Sequence, residues 1–135
     1  MIKIALSIFL ILHGLVHLLY LGQSRALFEL QPGMSWPDGS WAFSRLFADG
    51  TVRLLASTAL ILAAIGFVAG GVGLLAGQTW WRQVVAGSAF FSALLYLFFW
   101  DGGLANLADK GAVGMLINLA LLAALFLVDW PFFQF

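Results

Sequence analysis

Two histidines in the first apolar stretch are the residues of this chain best suited to chemistry. His13 and His17 are the only histidines among 135 residues, and their i, i+4 spacing puts both imidazoles on one face of a helix. That spacing suits two ligands that chelate one metal ion. A metalloprotease helix needs glutamate directly after the first histidine, and Gly14 stands there instead, so that reaction is excluded. A bis-imidazole haem needs ligands on opposite sides of its ring, hence a second copy of the chain or a different second ligand.

Polar residues of the other apolar stretches match the histidines in depth. At ~1.5 Å per helical residue, four side chains lie roughly 8 to 13 Å from the same membrane interface, namely His17, Thr58, Ser92 and Asn118. A polar stripe of Ser88, Ser92 and Tyr96 also follows one helical face, as the histidines do on theirs. We therefore expect His13, His17, Ser92 and Asn118 to share one layer inside a bundle.

Two roles are open for this predicted layer. In one, neutral imidazoles hydrogen-bond across helices to Asn118, Ser92 or Thr58 and hold the bundle together. Such bonds average only about 0.6 kcal/mol, which is a weak reason to keep two histidines. In the other, the histidine pair holds a metal, a quinone or a polar lipid headgroup, with Ser92 and Asn118 as further binding residues. The pattern identifies no particular cofactor.

The elements that must position these residues are membrane-spanning helices. The chain is 63% apolar and 9% charged, whereas a soluble domain carries about 25% charged residues. Six Lys/Arg balance six Asp/Glu, which excludes nucleic-acid binding. One charge at the centre of a span costs roughly 2.5 to 3.5 kcal/mol. The four charge-free stretches therefore predict one all-α domain over 1–135, a four-helix membrane bundle with spans at about 4–24, 54–78, 82–100 and 111–130.

The first connection, residues 25–51, is much longer than the other two. We expect it to contain a short interfacial helix over 41–48, with Ser40 as N-cap and Asp49-Gly50 as its end. This segment either anchors the chain at the bilayer surface or covers a site as a lid.

Polar and aromatic side chains mark the two ends of the predicted bundle. The end with the first and third connections, here called the mouth, carries Tyr20, Arg53 and Asp101. Arg53 and Asp101 either neutralise each other or hold an anionic headgroup. At the opposite end, Asp129 is expected to be a solvated end residue. Interface-seeking aromatic residues divide in the same way, with Tyr20, Trp36, Trp41 and Trp100 at the mouth and Trp80, Trp81 and Trp130 opposite.

Lysine and arginine give a nominal orientation. Four of them lie on the mouth side and two on the other side, which by the positive-inside rule places the mouth in the cytoplasm and both termini outside. Local ion pairs with neighbouring acids leave this orientation open.

Glycines line the second predicted span. Two consecutive small-xxx-small pairs are formed by Gly66, Gly70, Gly73 and Gly77. Close backbone approach supplies packing energy in lipid, and glycine permits it. The ridge either packs within the chain against the first or third span, or receives a helix of another subunit or of a second copy.

Several of these features together resemble a known group. They are the run His13-Gly14-Leu15-Val16-His17-Leu18, the glycine-bearing second span that ends near Trp80-Trp81, Trp100 at the end of the third span, and Gly114 with Asn118 in the fourth. The chain resembles small four-span bacterial membrane proteins with an HGxxHL element in the first span, and its organisation is similar to that of DoxX-like proteins. The resemblance covers most of the chain except the long loop with its WPDGSW stretch. It implies the fold and a place in the bacterial inner (cytoplasmic) membrane.

Two functions of different classes follow. The chain is either an accessory or scaffold subunit that packs against a larger membrane complex or itself, or a small binding or redox protein that uses the histidine pair. We expect the lipid bilayer and other membrane subunits or a second copy as partners, and no nucleic acid. The pattern predicts no particular enzymatic activity.

Overall fold

The regular structure of the chain is helical. The computed structural model describes residues 1–30, 32, 37, 39–104, 106–108 and 110–131. These residues contain no strand and form four helices, α1 (Ile2–Ser24), α2 (Asp49–Leu75), α3 (Trp81–Phe99) and α4 (Ala112–Phe126). The predicted all-α fold is confirmed.

The helices differ in length. By length and composition, α1, α2 and α3 can each cross a membrane, whereas α4 has 15 residues. At ~1.5 Å per residue α4 is shorter than the ~30 Å hydrocarbon core, and it does not fill the predicted 111–130. Conversely, α2 begins before the predicted 54, because its first turns accommodate Asp49 and Arg53 at the helix end, which a charge-free criterion removes.

Residues 41–46 form consecutive turns and residue 47 a bend, so the short helix predicted over 41–48 is wrong. Ser40 does accept hydrogen bonds from the N–H groups of Ala42 and Phe43, at 3.2 and 3.0 Å, in the manner of an N-cap. The helical turn is not continued, and Asp49 opens α2 instead of ending a helix.

The segment 40–47, which we call the cap segment, is fixed on the end of α3. The Ser40 hydroxyl donates to the carbonyl of Phe98. The Trp41 indole N–H donates to the Leu97 carbonyl at 2.8 Å, and the Trp41 backbone N–H donates to the Trp100 carbonyl at 2.8 Å. Carbonyls at a helix C-terminus lack intrahelical donors, and the cap segment supplies them. These bonds favour the anchor over the lid.

Each helix packs on the next in sequence, α1 on α2, α2 on α3 and α3 on α4. The α2 glycine ridge is used for this packing within the chain. A Cβ on Gly70 would lie 2.5 Å from Val85 Cγ2, so a larger residue there displaces its neighbour. The same holds for Gly66 against Ser88 and for Gly73 against Trp80.

Gly77 lies directly after the C-cap of α2 and helps to end this helix. Its φ is +71°, the left-handed conformation that favours glycine. Its N–H bonds to the Leu74 carbonyl at 3.0 Å, and the Gln78 N–H bonds to the Gly73 carbonyl at 2.8 Å. This is the Schellman pattern that terminates helices.

Two apolar clusters fill the interior, one towards each end of the bundle. The cluster at the mouth contains Val52, Ala56, Leu60, Leu95, Tyr96 and Phe99. The cluster towards the opposite end contains Leu10, Phe67, Leu74, Trp81, Val85, Ala89 and Leu125. Along α1, α3 and α4, the polar residues His13, Ser92 and Asn118 fall between the two.

Tryptophans lie at the two ends of the bundle. Trp41 bonds to Trp100 at the mouth, while Trp81 and Trp130 line one small cavity with Leu6 at the other end. Trp36 lies outside the described residues.

Replacing Gly70 with leucine should weaken the packing of α2 on α3 and lower the free energy of unfolding. Overpacking of a tight core costs about 1–3 kcal/mol, and Val85 leaves no room for the new side chain. The measurement is the free energy of unfolding in mixed micelles, by SDS titration. Gly50→Leu is the matched control, because a Cβ on Gly50 would meet nothing within 4 Å. Equal stability of the two variants would contradict the intramolecular role of the ridge.

Candidate functional site

The structure brings His13, His17, Ser92 and Asn118 together in one buried polar layer. His13 Nε2 lies 2.9 Å from Asn118 Oδ1, and Asn118 Nδ2 lies 2.8 Å from Ser92 Oγ. Ser92 Oγ lies 2.7 Å from His17 Nε2, and His17 Nδ1 lies 3.0 Å from the His13 carbonyl oxygen. His13 is 6% exposed and the other three side chains are 0% exposed. The layer thus ties α1, α3 and α4 by side-chain hydrogen bonds.

One acceptor fixes the direction of the whole chain of bonds. The His13 carbonyl only accepts, so His17 Nδ1 carries a proton, and Nε2 of the neutral imidazole accepts from the Ser92 hydroxyl. Ser92 Oγ then accepts from the Asn118 amide, whose oxygen accepts from His13 Nε2–H. All four hydrogen bonds of the layer then have one donor and one acceptor with both imidazoles neutral, and the layer carries no net charge.

Aromatic rings enclose the polar layer. The Phe67 ring of α2 stands edge-on to the His13 ring at 4.7 Å and stacks on the His17 ring at 5.6 Å. The Tyr96 ring of α3 also stacks on the His17 ring, with 5.9 Å between the two ring centroids. Tyr20 of the predicted mouth group contacts Tyr96 at 6.4 Å.

Gly14 explains how Phe67 reaches both imidazoles. A Cβ on Gly14 would lie 2.9 Å from Phe67 Cβ and 3.0 Å from the Ala64 carbonyl oxygen. The absence of a side chain between the histidines therefore lets α2 approach α1 at this level. Gly114 of α4 likewise leaves room for the Tyr96 ring of α3. A Cβ on Gly114 would lie 2.8 Å from the tyrosine hydroxyl oxygen.

Ligand positions on the histidines are largely occupied. Both nitrogens of His17 are engaged, and so is His13 Nε2. A metal at His17 would have to displace Ser92 or break the bond to the His13 carbonyl. Within the described ranges, no group of three or more His, Cys, Asp or Glu side chains is placed to hold a metal ion. The geometry is that of a closed hydrogen-bonded layer.

Thr58 does not join the layer, in contrast to the prediction. It is exposed, and its hydroxyl donates to the Leu54 carbonyl of its own helix at 2.9 Å. The neighbouring Ser57 is 2% exposed and accepts a hydrogen bond from Arg25 Nε at 3.1 Å. Thr58 stands nine residues before Phe67, the α2 residue that contacts both imidazoles, so at ~1.5 Å per helical residue it lies roughly 13 Å from the level of the layer.

The polar residues of the mouth do not form one site. Asp101 pairs with Lys110, with 2.8 Å between Lys110 Nζ and Asp101 Oδ2, so the alternative pairing with Arg53 is wrong. Partial burial raises the pKa of the Asp101 carboxyl, but hydrogen bonds from Lys110 and the Gly103 N–H outweigh it, and the pKa lies below its ordinary value. Arg53 is exposed near the start of α2.

Asp129 at the opposite end is an ion-pair partner as well as an exposed residue. Its carboxylate binds the Arg82 guanidinium, which also donates to the carbonyls of Leu125 at 2.9 Å and Pro131 at 3.1 Å. Arg82 of α3 thereby clamps the end of α4, a role that the sequence analysis did not foresee.

Phe67 is a part of the site that was not predicted from the sequence. It is one of 13 phenylalanines, and nothing in its local sequence distinguishes it. The available signal was Gly14, because a glycine between two inward-facing histidines marks a close approach of another helix.

Comparisons of the chain with family models, with curated proteins and with solved structures found no match.

Removing the Asn118 amide should destabilise the bundle more than its own two bonds suggest. Asn118→Leu leaves His13 Nε2–H buried without an acceptor, which costs on the order of 1–3 kcal/mol. The double variant His13→Leu/Asn118→Leu removes the stranded donor and should recover part of this loss. SDS titration of the unfolding free energy checks both. A double variant that loses the sum of the two single losses would show that the two side chains do not act as a pair.

Proposed function

We propose that this chain is an integral membrane protein that serves as an accessory or scaffold subunit, packed against a larger membrane complex or a second copy. The observation that supports this most is the closure of the polar layer, whose His17, Ser92 and Asn118 bond to one another. Polar groups spent on one another hold helices in place, and they leave little to bind a substrate.

The surface proposed for the partner lies between α3 and α4. The glycine ridge of α2 is covered by α3, so it is not the contact surface. A groove of about 600 Å³ runs instead beside Ala86, Gly87 and Phe90 of α3 and Leu122 and Phe126 of α4. A Cβ on Gly87 would meet nothing within 4 Å, which leaves room for the backbone of another transmembrane helix to approach.

The alternative function is a binding or redox protein that holds a metal, quinone or lipid headgroup through the histidines. The observation that favours it is one unbonded ring nitrogen. In the neutral layer His13 Nδ1 is an acceptor, and it makes no hydrogen bond to any residue that the structure describes. One open nitrogen supports a single contact and no chelate, so this function ranks second.

Co-purification from the native membrane tests the two functions together. The wild-type chain should bring a stoichiometric membrane polypeptide or a second copy of itself, identified by mass spectrometry after mild solubilisation. Gly87→Leu fills the groove and should lower the yield of this partner at least about tenfold, as a loss of ~1.4 kcal/mol would.

Gly50→Leu is the control, since Gly50 is the other helical glycine with open space around it. A partner retained in full by Gly87→Leu would overturn the groove as the contact. A wild-type preparation that contains a metal, pigment or quinone and no polypeptide would favour the binding function instead.

We further propose four spans, a place in the bacterial cytoplasmic membrane, kinship with DoxX-like proteins and a mouth that faces the cytoplasm. The charge count supports the orientation. The fourth span needs a separate argument, because α4 has only 15 residues. To cross the membrane it must lie close to the bilayer normal, with local thinning of the bilayer and with flanking residues that extend the span.

Single-cysteine labelling checks the topology, and the chain has no cysteine of its own. Leu104 and Leu127 flank α4 and are 76% and 84% exposed. If α4 crosses the membrane, an impermeant maleimide should react with Leu104→Cys only from the cytoplasmic side and with Leu127→Cys only from the other side. Reaction of both from one side would show that α4 does not cross.

A further inference from the structure

The cap segment has a fixed position relative to the membrane. Its hydrogen bonds from Ser40 and Trp41 go to the last carbonyls of α3, a helix long and apolar enough to span. The Phe43 ring packs inward against Phe99 at 5.2 Å. The remaining side chains of the segment are therefore held at the level where a spanning helix ends, which is the interface between hydrocarbon and headgroups.

At that level the cap segment exposes an unusual combination of side chains. Trp41, Leu46 and Phe47 are 50%, 74% and 45% exposed. Arg45, between them, is exposed as well, and in the part of the chain that the structure describes it makes no hydrogen bond or ion pair. A guanidinium with all its donors open thus stands among apolar side chains that belong in the acyl-chain boundary.

We propose that the cap segment is a phospholipid-binding site, in which Arg45 holds the phosphodiester of an anionic headgroup. Arginine binds phosphate through two parallel N–H donors. Tryptophan and other large apolar side chains prefer the boundary directly below the headgroups, so Trp41, Leu46 and Phe47 contact the upper acyl chains of the same lipid. The segment is hydrogen-bonded to the end of α3, a helix long and apolar enough to span a membrane.

The other three cations of the mouth are engaged within the chain, which is why Arg45 is the residue concerned. Arg53 makes an interaction of its own. Lys110 is paired with Asp101, and Arg25 donates to the buried Ser57. Asp49 stands four residues after Arg45 and forms no ion pair with it. Arg45 is therefore open to an anion from outside the chain, and a free phosphate ion would leave the neighbouring apolar side chains without a contact.

The test is native mass spectrometry of the full chain in detergent, titrated with phosphatidylglycerol and with phosphatidylcholine of identical acyl chains. The wild type should bind phosphatidylglycerol about fivefold more tightly, the factor expected for one cation near an anionic lipid. Arg45→Gln should bring the two affinities close to equality, and Arg45→Lys should keep most of the preference. Competing inorganic phosphate should not displace the lipid.

Arg25→Gln is the matched control, since it removes one positive charge from the same end of the protein. It should keep the preference for phosphatidylglycerol. Equal binding of both lipids by the wild type, an unchanged preference in Arg45→Gln, or the same loss in Arg25→Gln would overturn the proposal. So would displacement of the lipid by inorganic phosphate, which would show a simple anion site.

Discussion

The hydrogen bond from His17 Nδ1 to the His13 carbonyl is the constraint on which the rest of the polar layer depends. A backbone carbonyl has no proton to give, so this contact sets the tautomer of His17 and makes Nε2 an acceptor. Ser92 must then donate, Asn118 must donate to Ser92, and His13 must donate to Asn118. A reversed amide or a different tautomer at any position would strand a polar group in a membrane interior, where water is not available to satisfy it.

Small residues make this layer possible, because side-chain hydrogen bonds between helices require the helices to be close. Gly14 admits Phe67 between the two histidines, and Gly114 admits Tyr96 against α4. The remaining helix, α2, contributes no polar side chain to the layer. Its Phe67 ring packs against both imidazoles instead. The result is a polar layer enclosed by rings, between two apolar clusters. Specific geometry at this level, more than the energy of any one bond, distinguishes the native packing from other arrangements of four apolar helices.

Much of this arrangement follows from the sequence. Charge-free length predicts the helices, and matched depth brings His13, His17, Ser92 and Asn118 to one level. Thr58 was placed in the layer because its depth was counted from Arg53, but α2 already begins at Asp49, and its residue at the level of the imidazoles is Phe67, nine positions after Thr58. Long-range partners were also out of reach. The cation that pairs with Asp101, and the arginine that clamps α4, depend on how loops close, and a charge pattern leaves several such pairings open.

The attachment of α4 to α3 accounts for the groove on the outer surface of the bundle. Too short to span a bilayer without help, α4 is held at its start by Tyr96 against Gly111 and Gly114, in its middle by Asn118, and at its end by Arg82. These three contacts set the spacing of the two helices along their whole length. Between the levels of Asn118 and Arg82, α3 presents the small residues Ala86 and Gly87. The contacts of Asn118 and Arg82 hold the two helices at both ends of this stretch, and the groove lies between them, where α3 has no large side chain to fill the space.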